Sequence, residues 1–233
     1  MPLSAYKPAW WRRWIARPLL RFSFGIVFLL LARIKVTGRK NVPRGKAYLV
    51  VFNHVSLYDP PFLGVFWPEA LEVMGASDIW HKPGQDILVR LWGAIPVHRG
   101  EYDRALFDKA LSALGAGRPL VIAPEGGRSH KPGLRTAKPG LAYIVEKSGL
   151  EVVPVAIVGT TDDFWHLASR GRRPTLEMHI GRPFRLPALE GKGEALHAAR
   201  QRNTDQVMNV LAGLLPEAYR GVYAATAIPP QSG

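Results

Sequence analysis

The stretch AYLVVFNHVSLYDPP, residues 47–61, decides the fold class and holds the first candidate functional residues. It begins with an uninterrupted apolar run at 47–52, which is typical of a strand buried on both faces of a parallel sheet. It ends in Asp59-Pro60-Pro61, and an acidic residue followed by proline predicts the start of a helix. A buried strand that leads through a short turn into a helix is one unit of an α/β sheet.

Short apolar runs and helical patterns alternate along the rest of the chain. We therefore predict an α/β fold, a single domain with a mixed, partly parallel sheet flanked by helices. The predicted strands are residues 47–52, 71–74, 94–97, 119–123, 152–158 and 175–180, and the predicted helices are residues 61–66, 86–92, 104–114, 141–147 and 195–215.

Composition and charge narrow the class of function. The chain has 233 residues, of which 47% are hydrophobic and 21% are charged, as expected for a globular protein. It contains no cysteine, which excludes disulfides, thiolate metal sites and cysteine nucleophiles. The formal charge of +13 favours anionic partners such as nucleic acid, anionic lipid or phosphorylated small molecules.

The N-terminal segment combines basic and large apolar residues, and no acidic residue precedes Asp59. In a helix, Arg13, Arg17 and Arg21 form one stripe, and the opposite side carries an apolar stripe of Trp11, Ile15, Leu19, Phe22 and Ile26. Pro18 predicts a break into two helices. The longest uncharged run is shorter than the roughly 20 residues of a helical span, and we do not expect a cleaved signal peptide. We expect an amphipathic segment on a membrane surface, with docking on the protein's own core as the alternative.

His54 and Asp59 form the first candidate site. On a regular helix two residues five positions apart lie about 140° apart, so the pair would not meet. We expect instead a strand-to-helix turn, with Asp59 as N-cap and Pro60 at the first helical position. Such a turn can fold the carboxylate onto one ring nitrogen and leave the other able to take a proton. Considered alone, the pair also fits a capping aspartate beside a surface histidine.

Three further motifs follow or form predicted strands. In APEGGRS, residues 123–129, two glycines allow close backbone approach and Arg128 offers a bidentate phosphate donor. In GAIPVHR, residues 93–99, Arg99 lies at the mouth of the sheet. In VPVA, residues 153–156, the proline predicts an edge strand. Each motif alone also fits an ordinary turn, a surface arginine or an edge strand without further function.

Together the four motifs resemble the glycerolipid (lysophospholipid) acyltransferase superfamily, which includes bacterial 1-acyl-sn-glycerol-3-phosphate acyltransferase. NHVSLYD, GAIPVHR, APEGGRS and VPVAIVG occur in the family's order, followed by LLPEAYRGVY, so that the resemblance covers about residues 39–223. It implies that His54 deprotonates the acceptor hydroxyl and that Asp59 orients His54. It also implies an acceptor-phosphate pocket and a set of supporting residues. The pocket residues are Arg99, Glu125, Gly126, Arg128 and Lys138, and the supporting residues are Asn53, Ser56, Gly127 and Pro154.

The resemblance implies an enzyme that moves a fatty acyl group from a thioester to the free hydroxyl of 1-acyl-sn-glycerol 3-phosphate or a related lysophospholipid, giving phosphatidic acid. The co-substrate is acyl-CoA or acyl carrier protein, and no other cofactor and no metal are expected. Gly127 stands where the family usually has threonine, and Ala123 and Ala137 stand where aromatic residues are common. Another lysophospholipid or glycolipid acceptor is therefore the alternative.

The resemblance and the composition also lead to expectations about domains, location and competing functions. We expect membrane-associating helices at 1–34, an acyltransferase domain at 35–223 and a loose tail at 224–233. The expected location is the cytoplasmic face of the cell membrane, peripheral or monotopic, with membrane lipids as partners. No nucleic-acid-binding motif is present, so we expect no nucleic-acid partner. A hydrolase of the same fold and a degenerate membrane scaffold are the competing functions.

Overall fold

Seven strands form one sheet in the computed structural model, which describes residues 8–98 and 104–230. The strands are β1 (Arg33–Thr37), β2 (Leu49–Phe52), β3 (Glu72–Ala76), β4 (Ile95–Val97), β5 (Leu120–Ile122), β6 (Val152–Val158) and β7 (Thr175–Ile180). Their order is β1-β7-β6-β2-β5-β3-β4. All neighbours pair in parallel except β6 and β7, which are antiparallel.

Helices cover both faces of this sheet. They are α1 (Arg17–Leu31), α2 (Asp59–Phe66), α3 (Gln85–Trp92), α4 (Arg104–Gly115), α5 (Gly140–Ser148), α6 (Phe164–Ser169), α7 (Glu194–Leu214) and α8 (Glu217–Arg220). A π-helical turn, Arg12–Ala16, precedes α1, and short 3₁₀ turns lie at Arg39–Asn41, Ser77–His81 and Gly221–Thr226.

The central strands alternate their side chains between two apolar cores. Leu49 and Val51 of β2 pack with residues of α4, α5 and α7 on one face. Val50 and Phe52 pack with residues of α1, α2 and α6 on the other face. Because both faces are covered, the middle strands are apolar throughout, and the predicted α/β fold with a mixed sheet is confirmed.

The predicted strands and helices are all present, with most bounds shifted by a residue or two. β1, α6 and α8 were not predicted. β1 is an edge strand in which Arg33, Lys35 and Thr37 are exposed and Ile34 and Val36 are partly buried, so its apolar signal is weak. Charged side chains of this kind protect an edge strand from pairing with other chains.

The prediction that Pro154 marks an edge strand is wrong, because β6 is an interior strand that pairs with β2 and β7. The Pro154 carbonyl accepts a hydrogen bond from the N–H of Gly181, just after the end of β7. In an antiparallel pair of this type the two residues would exchange two bonds. The missing proline N–H therefore costs only the last bond of the β6–β7 ladder.

The predicted break at Pro18 is also wrong. The backbone at Ala16 and Arg17 is right-handed helical, so the π turn continues directly into α1. Pro18 lies in the first turn of α1, and a π turn changes the hydrogen-bond register just before it. Proline lacks a backbone N–H, but in the first turn of a helix this donor is not needed, so the helix continues through Pro18.

The arginine stripe of this helix faces the protein rather than the surroundings, apart from Arg13, which is exposed. The Arg17 guanidinium is 2% exposed and binds both carboxylate oxygens of Glu72 at 3.1 and 2.7 Å. It also donates to the Trp92 carbonyl at 2.8 Å. Arg21 donates to the carbonyl of Trp67 at the end of α2. Docking on the protein, which was the alternative to a membrane surface, therefore describes the polar side of the helix.

The opposite side of the helix exposes a continuous series of large apolar side chains, which we call the outer face. Four of the five residues of the predicted apolar stripe lie on this face, and Trp11 lies outside it. By length and composition the helical segment from Arg12 to Leu31 is also long and apolar enough to cross a membrane, and few of its residues are buried in the protein. The outer face consists of Trp10, Trp14, Ile15, Leu19, Phe22, Ile26, Leu29 and Leu30.

Two of the predicted boundaries fall inside ordered structure. The boundary between residues 34 and 35 cuts β1, so the N-terminal helix leads directly into the sheet. The start of the predicted loose tail lies in the last 3₁₀ turn, and Ile228 beyond it donates a hydrogen bond to the Asn209 carbonyl of α7 at 2.9 Å. The tail therefore packs on α7 at least as far as Ile228.

Candidate active site

The candidate site lies where three neighbouring strands end. β6, β2 and β5 run parallel and side by side, so their carboxyl ends open at one edge of the sheet. Ligands of α/β folds bind at this edge. His54 follows β2, Glu125 follows β5 and Thr160 follows β6. The topology thus gathers three polar loops that are distant in sequence.

The Asp59 carboxylate is fully buried and accepts hydrogen bonds on both oxygens. Oδ2 accepts from Nδ1 of His54 at 2.9 Å and from the backbone N–H groups of Val55 and Ser56 at 2.6 and 2.8 Å. Oδ1 accepts from the Thr160 hydroxyl. These donors replace water around a charge that would otherwise be costly to bury. The sequence-predicted pair, His54 and Asp59, is therefore brought into contact.

The position of Asp59 in the helix differs slightly from the prediction. The N-cap of α2 is Tyr58, and Asp59 and Pro60 are the first two helical residues. The Asp59 carboxylate turns back to the N–H groups of the preceding loop instead of those of its own helix. With this placement Oδ2 reaches Nδ1 of His54 at 2.9 Å.

His54 lies at the junction of two cavities, an apolar one of about 570 Å³ and a polar one of about 300 Å³. Its side chain is 16% exposed, so that a ligand can reach it. Because Nδ1 is bound to Asp59, Nε2 is the ring nitrogen that is left for proton transfer.

The apolar cavity lies between the sheet and helices α1, α2 and α3. Leu20 and Phe24 of α1, Leu63 of α2 and Leu88 of α3 line it. The other side of α1 carries the outer face. A single helix therefore separates this part of the cavity from the surroundings of the protein.

The polar cavity is lined by four of the five predicted phosphate-site residues, which are Glu125, Gly126, Arg128 and Lys138. The fifth, Arg99, lies outside the described residues. In the described part of the chain, no hydrogen bond or ion pair engages the Arg128 guanidinium or the Lys138 ammonium, so both remain available to a ligand. Lys82, His130 and Arg135 line the same cavity and add to its basic character.

Glu125 organises the loop rather than offering charge to the cavity. Its buried carboxylate accepts hydrogen bonds from the backbone N–H of His54 at 3.1 Å and of Arg135 at 3.0 Å. Burial raises the pKa of Glu125, and these two N–H groups and the Arg135 charge oppose that rise. Since each carboxylate oxygen accepts from a backbone N–H, Glu125 links the loop that carries His54 to the basic loop at residues 128–138.

Gly126 brings Lys138 close to the turn. Its φ of 71° lies in the left-handed region, which favours glycine. A Cβ here would lie 3.0 Å from Cε of Lys138. The backbone N–H of Lys138 donates to the Pro124 carbonyl at 2.9 Å. The Lys138 side chain therefore crosses directly over the glycine turn.

The predicted supporting residues have different positions. The Asn53 amide exchanges two hydrogen bonds of 2.8 Å with the backbone of Ile157 on β6. The Ser56 hydroxyl accepts from the N–H of Tyr58, and the Gly127 carbonyl accepts from the Arg135 guanidinium. Pro154, within β6, lines neither cavity. Asn53, Ser56 and Gly127 thus lie in the loops that carry His54 and Glu125, whereas Pro154 lies within a strand.

Several residues at the site, among them Thr160, Arg135 and His130, were not singled out from the sequence as site residues. The imidazole of His130 contacts Asp162 at 3.0 Å. A polar residue just after a buried strand was the available signal for Thr160, since β6 was predicted with its observed bounds. Arg135 and His130 carried no signal beyond their place in a basic loop.

Comparison with known proteins agrees with this architecture. The Acyltransferase family model matches residues 33–158. A 1-acyl-sn-glycerol-3-phosphate acyltransferase of Borreliella burgdorferi is 28% identical over 142 residues, which are 59% of this chain and 57% of that protein. A lyso-ornithine lipid O-acyltransferase of Pseudomonas aeruginosa is 28% identical over 207 residues, 82% of this chain and 75% of that protein.

A solved structure shares the fold. The crystal structure of the 1-acyl-sn-glycerophosphate (LPA) acyltransferase PlsC from Thermotoga maritima superposes with a TM-score of 0.59 and 24% identity. The superposition covers 82% of this chain and 78% of that one. The family match, which includes the strands and loops that carry His54, Asp59 and Glu125, confirms the predicted relationship. The chain belongs to the acyltransferase family.

Proposed function

We propose that this protein transfers a fatty acyl group from a thioester donor, acyl-CoA or acyl carrier protein, to the free hydroxyl of 1-acyl-sn-glycerol 3-phosphate or a related lysophospholipid. The observation that carries the proposal is the position of His54, bound to Asp59 at the meeting point of an apolar and a basic cavity. An acyl chain suits the first cavity and an anionic headgroup suits the second.

His54 acts as general base in this proposal. Nε2 takes the proton of the acceptor hydroxyl, while Asp59 holds Nδ1–H and stabilises the imidazolium. The acceptor oxygen attacks the thioester carbonyl carbon and forms a C–O bond. The C–S bond then breaks, and the thiolate leaves with the proton from His54. Asp59 keeps the ring in the tautomer that this step requires.

Arg128 and Lys138 hold the acceptor phosphate. Both side chains line the polar cavity beside the glycine turn. The Arg128 guanidinium can bind two phosphate oxygens at once. Arg135 forms an ion pair with Glu125 at 3.6 Å, so it contributes mainly to the positive electrostatic potential of the cavity. Binding the headgroup here and the chains in the apolar cavity would bring the acceptor hydroxyl to His54 and reduce the entropic barrier.

The outer face would hold the enzyme on the lipid surface as a monotopic protein. Tryptophans and leucines there match the headgroup and acyl boundary of a bilayer. The buried Arg17–Glu72 ion pair favours this arrangement over a span, because it keeps the helix side by side with the domain. We place the domain on the cytoplasmic side, where it can meet its thioester donor.

A lyso-ornithine lipid is the second candidate acceptor. The match to the Pseudomonas aeruginosa protein extends over 82% of this chain, and Gly127 lacks the hydroxyl that the family usually supplies near the phosphate. Purified enzyme should be assayed with lysophosphatidic acid, other lysophospholipids and lyso-ornithine lipid, each with acyl-CoA and acyl carrier protein. Ester formation that depends on the acceptor supports the proposal. Release of free fatty acid alone would instead identify a hydrolase.

A further inference from the structure

Thr160 makes a contact with the candidate catalytic pair that the proposed reaction does not yet use. Its side chain is 1% exposed, and its hydroxyl donates to Oδ1 of Asp59. The other Asp59 oxygen, Oδ2, serves His54, Val55 and Ser56. Within the described residues, the Thr160 hydroxyl is the only donor to Oδ1. Thr160 therefore determines the environment of one half of the carboxylate.

The backbone around Thr160 is held in place by three other parts of the chain. The N–H of Gly159 donates to the Tyr219 hydroxyl at 3.1 Å. Gly159 has a φ of 88°, and a Cβ there would lie 2.1 Å from the Thr175 carbonyl oxygen. The Asn53–Ile157 hydrogen bonds fix the end of β6 to the loop that carries His54. The hydroxyl is thus supplied from a rigid position.

We propose that Thr160 is a positioning residue, which acts on His54 through Asp59. A carboxylate held only at Oδ2 could rotate about its Cβ–Cγ bond, and its hydrogen bond to Nδ1 would weaken. The Thr160 hydroxyl prevents this rotation and so keeps Oδ2 on Nδ1 of His54. This proposal rests on the proposed general-base role of His54.

The chain offers variants that separate the hydroxyl from the rest of the side chain. Thr160→Val keeps the shape and removes the donor, whereas Thr160→Ser keeps the donor and removes a methyl group. Thr161→Val is the matched control, because its hydroxyl bonds Asp163 in the neighbouring turn instead of Asp59. If Thr160→Val does not fold, Thr160→Ala takes its place under the same criteria.

The experiment measures kcat, the KM of each substrate and the pH dependence of kcat/KM for the purified full-length variants. A lost hydrogen bond to a charged group predicts that kcat falls about 10- to 100-fold in Thr160→Val. Both KM values should stay within about twofold, because Thr160 contacts no substrate. The acidic limb should move to lower pH, because a carboxylate that has rotated away stabilises the imidazolium less. Thr160→Ser should recover most of kcat, and Thr161→Val should resemble the wild type.

Several outcomes would overturn the proposal. These are a kcat within about threefold of wild type in folded Thr160→Val, a loss confined to KM, an unshifted acidic limb, or a Thr160→Ser variant as impaired as Thr160→Val. His54→Ala, assayed in parallel, separates this failure from that of the proposed function. If His54→Ala is inactive and Thr160→Val is normal, only the role of Thr160 is wrong. If His54→Ala is active, the general-base assignment itself is wrong.

Discussion

Removal of the Arg17 guanidinium should destabilise the whole domain, although Arg17 lies on an N-terminal helix with an exposed outer face. Arg17 and Glu72 form an ion pair at 2.7 Å in which each side chain is 2% exposed. Arg17→Ala would leave the Glu72 carboxylate buried at the start of β3. The Trp92 carbonyl at the end of α3 would lose its donor as well.

The size of the effect follows from this burial. Breaking a buried ion pair by removing one partner typically costs about 3–5 kcal/mol. Arg118, whose guanidinium lies 3.4 Å from Glu72, compensates part of the remaining charge. We therefore expect about 3 kcal/mol, near the lower limit of that range. For a domain of this size such a loss corresponds to roughly 6–12 °C in the melting temperature.

The assay is thermal or denaturant unfolding of purified protein in one detergent, followed by circular dichroism. Arg13→Ala is the matched control, because Arg13 lies one turn earlier on the same helix and is exposed. It should change stability by less than about 0.5 kcal/mol. Glu72→Gln and the double variant complete a cycle, and the double variant should lose less than the sum of the single ones.

The reasoning fails if Arg17→Ala and Arg13→Ala are equally stable. That result would mean that the N-terminal helix is not docked through Arg17 and that its polar face is free. The apolar cavity would then lack a fixed wall on that side. Activity measured on the same samples shows whether this wall matters, because Leu20 and Phe24 line the cavity from the same helix.

Two other predictions concern the ligand surfaces. Arg128→Ala should raise the KM of a phosphorylated acceptor about tenfold or more and leave the donor KM unchanged, with exposed Lys131→Ala as control; a change in the donor KM alone would move Arg128 to the donor site. The double substitution Leu19→Glu and Phe22→Glu should weaken binding to anionic vesicles at least tenfold in flotation assays, since each residue loses about 1.5–3 kcal/mol of apolar transfer. Ala198→Glu on the exposed side of α7 is the control, and equal binding by both variants would exclude the outer face as the membrane contact.

Point substitutions test the membrane contact better than deletion of residues 1–34. Such a deletion would remove Arg17 and the first residues of β1 together with the outer face. Loss of activity would then report unfolding as well as detachment. The helix is part of the wall of the domain, so anchoring and folding can be separated only by changes on its outer side.

Local patterns were sufficient to predict most of the sheet and the His54–Asp59 contact. Apolar runs bounded by glycine and proline marked the strands, and the proline after Asp59 marked the turn. β1 was missed because Arg33 and Lys35 face outward on an edge strand. The edge position predicted for Pro154 was wrong for a different reason. A proline is also tolerated in an interior strand at the point where the hydrogen-bond ladder ends.

The remaining features depend on partners that are distant in sequence. Periodicity placed Arg17 on one face of a helix, but only the fold supplies Glu72, 55 residues away, as the reason that this face points inward. Thr160 is 101 residues from Asp59, and no spacing rule connects them. Sequence patterns therefore predicted the His54–Asp59 contact, whereas its supports and the orientation of the helix required the structure.

The most direct test of the proposed function is acyl transfer by His54→Ala to an acceptor that the wild type uses. The variant must be purified and shown to melt within about 2 °C of wild type, and His54 belongs to neither apolar core. Removal of a general base predicts a fall in kcat of about 10²–10⁴-fold. A folded His54→Ala enzyme with kcat within about threefold of wild type would contradict the proposal that His54 activates the acceptor hydroxyl.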